Sequence, residues 1–189
     1  MKAVDILPVS VGKTNGVFSE AREEFFPAHK ESFFVAQKLY GNSNYRDAYI
    51  CLLNSVETYL KHVFLRCATT EVENLKLVGA VPDLKQYDPK NKFGHNLPSI
   101  CTAIQGHLEE ARLSGDFVQF QSTLPTSAHN ADRDSFAENY VNLRYRDSSY
   151  RKHGVGQSMG DFCKSGYDLI LPAFEKVRKD VLKDLKETL

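Results

Sequence analysis

The 189-residue sequence predicts an all-α protein, an up-and-down bundle of four main helices with short extra helices. Three observations lead there. Apolar residues recur at spacings of three and four over several long segments. No run alternates apolar and polar residues with the period of two that a half-buried strand needs. Glycine, proline and asparagine punctuate the chain where helices of ordinary length should start or stop. No internal repeat is visible.

Residues 1–16 carry Pro8, Gly12 and Gly16 without periodicity and read as an extended arm. A single helical domain is expected over 17–189, with a long loop at 68–94. In its first helix, Val17 to Tyr40, the residues Phe26, Lys30, Phe33, Phe34, Gln37 and Tyr40 recur at helical spacing, with Pro27 at a first turn or a kink. Gly41 should stop it, and Asn42, Ser43 and Asn44 supply caps for the next. That helix, Tyr45 to Arg66, places Tyr49, Leu52, Leu53, Val56, Tyr59, Leu60, Val63 and Phe64 on one broad face, wide enough for a central helix. The short connection makes the two helices antiparallel neighbours.

Ala68 to Gly94 is polar, with Pro82, Pro89 and several lysines, and reads as a functional insertion or a loop. A third helix should begin at His95-Asn96-Leu97-Pro98, with Asn96 as N-cap and Leu97, Ile100, Cys101, Ile104 and Leu108 as its buried stripe. Gly115 ends that region, and a short apolar piece, Phe117 to Phe120, precedes a loop around Pro125 and Asn130. A short helix is expected over Ser135 to Leu143. The last one runs from about Gly160 to the C-terminus, with Cys163, Tyr167, Ile170, Phe174, Val177, Val181 and Leu185 in register and Pro172 kinking it.

Composition narrows the function classes. With 42% hydrophobic and 25% charged residues the chain can bury a core. Its 24 basic and 24 acidic residues cancel, which argues against a bulk electrostatic nucleic-acid binder or a polybasic membrane protein. Cys51, Cys67, Cys101 and Cys163 are widely scattered beside apolar residues, as expected of buried free thiols in a reducing compartment. The N-terminal apolar stretch is short and broken by Pro8, so neither a signal peptide nor a membrane span is expected, and the protein reads as cytoplasmic. Gly12-Lys13-Thr14 resembles the end of a phosphate-binding loop, but Leu7 stands where that loop needs a glycine. His29, His62, His107 and His129 show no metal-ligand spacing, and no cofactor fingerprint is present.

The stretch Arg144-Tyr145-Arg146-Asp147-Ser148-Ser149-Tyr150-Arg151-Lys152-His153 concentrates what the whole chain balances. Before His153 is counted it holds four basic side chains against one aspartate. Metal-free RNA cleavage needs a base for the 2′-hydroxyl proton and a cation for the growing phosphate charge. His153 and Arg146 have those chemistries. Tyr145 and Tyr150 offer faces on which unpaired bases can stack. The alternative is a solvated loop whose arginines pair with acidic residues elsewhere. Glu57 and Lys61 likewise read two ways, as an i,i+4 surface ion pair or as a polar seam facing a groove or partner. His95 either caps or packs at the third helix or binds a ligand.

Three segments together resemble the HEPN family, helical bundles of prokaryotes and higher eukaryotes often described as nucleotide-binding. They are Leu53-Asn54-Ser55-Val56-Glu57-Thr58-Tyr59-Leu60-Lys61, Gly94-His95-Asn96-Leu97 and Arg144-Tyr145-Arg146-Asp147. The family's counterparts are a Glu-x-x-Leu-Lys helix, a His-Asp-Leu-like helix start and an Arg-Tyr-Pro-Asp-like segment. The likeness spans roughly Phe26 to Leu185, with Asn96 for the usual Asp, Arg146 for the Pro and a long connection before His95. It implies binding of nucleotide or RNA phosphate by Arg144, Tyr145, Asp147 and Arg151, with Glu57, Lys61 and His95 lining the same cleft. Some members are metal-independent ribonucleases using an Arg and a His with four to six residues between them. Here Arg146 and His153, with six residues between them, would be the catalytic pair. No cofactor is implied. A homodimer, because two-fold packing is common for bundles, and a nucleotidyltransferase partner on another chain are the expected protein partners. The alternative function is a non-catalytic homodimeric or partner-docking module.

Overall fold

The computed structural model describes residues 25–79, 81, 83–108, 115–125 and 159–187. The proposed arm 1–16, the short helix 135–143 and the whole 144–153 segment lie outside the described residues. The described part is all-α, with no strand in it. We label its helices α1 (25–41), α2 (Tyr45–Leu77), α3 (Pro89–Phe93), α4 (Leu97–Leu108), α5 (Gly115–Thr123) and α6 (Met159–Glu187), with a 3₁₀ turn at Leu84–Tyr87.

Helix α2 is the axis. The whole expected face from Tyr49 to Phe64 is buried, and Ala48, Ser55, Glu57, Lys61, His62, Leu65, Ala68 and Val72 are buried as well. Such all-round burial is what a central helix shows. It packs against α4 and α6, and α5 packs on α6. Helix α1 joins through side chains: Asn54 donates to Ser32 at 2.8 Å, Tyr40 stacks on Tyr167 at 4.3 Å, and Tyr40 donates its hydroxyl hydrogen to Asp168. Phe174 marks where the elements meet, with its ring 5.7 Å from His29, 5.5 Å from Tyr59 and 5.8 Å from Phe120.

Several local expectations shift. The buried stripe of α1 is Phe25, His29, Phe33 and Ala36, whereas Phe34 is exposed, so the helix is turned relative to the aromatic positions alone. The chain reverses not at Gly41, which is still helical, but at Ser43, whose φ of 60° is left-handed. Asn44 occupies the N-cap position of α2 without capping, its amide donating instead to Asp47 at 2.9 Å. Gly115, expected to close a region, opens α5, and Phe117 and Phe120 are buried on that helix. The last helix lies where expected, with Pro172 inside it at an exposed position.

The largest difference concerns residues 68–94, expected to be a loop. Helix α2 continues eleven residues beyond Arg66, to Leu77, because Leu60, Phe64, Ala68 and Val72 extend one buried i,i+4 stripe through the polar sequence. It ends where Gly79, at φ 80°, turns left-handed and donates to the Lys76 carbonyl at 3.0 Å. The 3₁₀ turn and α3 then return along α2. At its end Asn96 caps α4 as expected, its side-chain oxygen accepting from the Ser99 amide at 3.1 Å.

Candidate functional site

The returning segment lies over one stripe of α2 formed by Glu57, Lys61, Phe64 and Glu71. Tyr87 donates its hydroxyl hydrogen to Glu71 at 2.9 Å. Phe93 meets Phe64 edge-on at 4.9 Å, with the Lys92 ammonium 5.3 Å from the Phe64 ring centre. Beyond them His95 reaches Glu57, its Nδ1 lying 3.0 Å and 2.9 Å from the two carboxylate oxygens. An ionised carboxylate only accepts, so Nδ1 carries the hydrogen of this bond. Chain order along the segment thus runs antiparallel to α2.

Glu57 also accepts from Lys61 Nζ at 2.7 Å. The i,i+4 spacing makes the two neighbours on a helix wherever that helix lies. The structure adds that both are buried, at 4% and 5% exposure, so this is no surface pair. A pair taken out of water to this extent loses hydration on both ions and contributes little net stability. His95 differs, since 46% of its side chain is exposed, and it forms the solvent-facing side of the cluster. The three expected wall residues therefore meet at one carboxylate.

Arg144, Tyr145, Arg146, Asp147, Arg151 and His153 fall outside the described residues, so their placement relative to this cluster is not part of the geometry. Among the described residues no group of three or more His, Cys, Asp or Glu side chains is placed to hold a metal, and no helix is long and apolar enough to cross a membrane.

A second polar cluster escaped the sequence reading. His29, buried at 1% exposure on α1, binds Ser55 on α2 and is ringed by Phe33, Tyr59 and Phe174. Burial above all, then the nearby Arg178 and Lys30, lowers its pKa from 6.5 to about 4, against the opposing pull of the Ser55 carbonyl. The available signal was its position four residues after Phe25 and four before Phe33, on the same helical stripe. Tyr87 and Lys92 were also missed, because the polar composition of 68–94 masked a docked segment.

Compared with protein-family models, with curated proteins and with solved structures, the chain matches none.

Proposed function

We propose that this chain is a HEPN-like helical domain that binds the phosphate of a nucleotide or of RNA beside Glu57, Lys61 and His95. The observation that carries the proposal is the convergence of an ammonium and an imidazole N–H, from two separate elements, on one buried carboxylate within 3.0 Å. Two such donors aimed at a single anionic oxygen pair are what a phosphate group needs, and their charge-assisted bonds are stronger than neutral ones. The resemblance supplies the ligand class. In this reading Arg144, Tyr145, Asp147 and Arg151 bind the same ligand. Ribonuclease chemistry, with His153 as base and Arg146 as phosphate stabiliser, is the sharper form of the same reading.

Titration calorimetry and thermal melting in EDTA, with ATP and with a single-stranded hexaribonucleotide as probes, test the binding. Wild-type protein is expected to bind one or both, and a probe at a hundred times its Kd adds about 2.7 kcal/mol of stability. Lys61→Met and His95→Ala should weaken that binding. No binding of either probe by wild-type protein, or binding indifferent to both substitutions, overturns the proposal. The ribonuclease form fails if RNA stays intact, or if His153→Ala cleaves as wild type does.

A partner-docking module is the second reading, favoured by Leu77, Val78 and Val81, which expose 85%, 79% and 85% of their surface at the end of α2. Light scattering of wild-type and Leu77→Glu protein tests it for a homodimer. A dimer lost in the variant supports the homodimeric form of this reading, and a monomer in both removes that form.

A further inference from the structure

Resting on the phosphate-binding reading, we propose that the Glu57 carboxylate is an internal stand-in for the ligand, occupying Lys61 and His95 until an incoming phosphate displaces it. Lys61 is buried, a buried ammonium is costly without an opposite charge, and Glu57 supplies that charge 2.7 Å away. The same carboxylate takes the His95 Nδ1 hydrogen. A phosphate directed to these two donors therefore meets a negative charge already seated on both. Contact with either requires partner exchange, because two anions sharing the site repel.

The local backbone suits such an exchange. The His95 ring is the solvent-facing member of the cluster, so an anion arriving from solution meets it first. His95 follows Gly94, a left-handed residue at φ 54° with open space where a Cβ would stand, and precedes Asn96, whose side chain holds the start of α4. His95 thus sits between a fixed helix cap and a glycine with open space beside it. The stand-in keeps the buried lysine compensated when no ligand is bound, at the expense of affinity when one arrives. The displacing group must be an anion, which the phosphate of the proposed nucleotide or RNA ligand supplies.

Calorimetric titration of wild-type, Glu57→Gln and Glu57→Asp protein with ATP, the hexaribonucleotide and adenosine tests this. Glu57→Gln is expected to bind a phosphate-bearing probe roughly tenfold tighter than wild type, about 1.4 kcal/mol, with adenosine binding unchanged. The probe that gains separates nucleotide from RNA phosphate. Glu57→Asp keeps the charge that the buried lysine needs but draws it back by one methylene, and it should gain by a smaller factor. It gives the same readout where Glu57→Gln does not fold. If wild-type protein binds a phosphate probe and neither variant binds it more tightly, the stand-in is overturned and the phosphate site remains. If wild-type protein binds neither phosphate probe, the phosphate-binding reading itself fails, and the stand-in with it.

Discussion

His29 and Ser55 bind each other three times across the first two helices, once with Nδ1 3.2 Å from the Ser55 carbonyl. The serine hydroxyl donates to the His29 backbone carbonyl at 3.0 Å, and the imidazole Nδ1 lies 2.8 Å from that hydroxyl oxygen. Because the only hydroxyl hydrogen is committed to the carbonyl, Nδ1 supplies the hydrogen of the shorter bond. The ring is neutral at neutral pH, being held to a pKa of about 4 by its burial.

Stability should therefore depend on pH in a defined window. The unfolded chain takes up this proton near pH 6.5 and the folded chain only near 4, so between those values the unfolded state binds more protons. Folding stability rises with pH there, and on acidification from 6.5 to 4 it falls by about 3 kcal/mol before levelling off. Urea unfolding across the window measures this. His29→Gln keeps a donor for Ser55 without titrating and should flatten the slope. An unchanged slope in the variant would falsify the assignment.

Helices α2 and α6 approach closely at Gly166, where an added Cβ would stand 2.7 Å from the Tyr49 ring. Tyr49 is itself buried and set against Phe162 at 6.2 Å, so it has little room to retreat. Gly166→Ala should cost about 1–3 kcal/mol despite the better helix propensity of alanine. Gly106 on α4 has nothing within 4 Å of its Cβ position, and Gly106→Ala should stabilise by about 0.5–1 kcal/mol. Thermal melting of both variants checks the opposite signs.

Lys61→Met leaves a buried carboxylate with one cationic partner fewer and should destabilise by about 3–5 kcal/mol. Adding Glu57→Gln to it should recover part of that loss, with a coupling energy of about 1–3 kcal/mol in a double-mutant cycle. A coupling of only about 0.3–0.5 kcal/mol would instead match an exposed i,i+4 pair and contradict the observed burial.

The thiols should be slow to react. Burial raises Cys67 and Cys163 to about 11 and pushes Cys101 higher still, leaving little thiolate at neutral pH. Half-buried Cys51 is expected to label first with a disulfide reagent, and the other three to react only as the protein unfolds. Labelling of those three in the folded protein at the unfolded rate would refute this.

Helical spacing is local, and what depends on it was legible from residues alone. The all-α class, the buried face of α2 from Tyr49 to Phe64, the cap at Asn96 and the adjacency of Glu57 and Lys61 follow from residues one to four positions apart. The register of α1 was not legible, because a histidine completes its apolar stripe. Nor was the helix through 68–77, whose buried positions are spaced four apart among charges.

Only the tertiary structure decided that the Glu57–Lys61 pair is buried, that His95 arrives from 38 residues away to share its carboxylate, and that Tyr87 and Phe93 dock the intervening segment on α2. The physical reason is that helix geometry fixes neighbours along one element, whereas contact between elements depends on how all buried faces pack at once. Sequence thus placed a carboxylate and an ammonium side by side on a helix. Packing removed them from water and set the histidine over them.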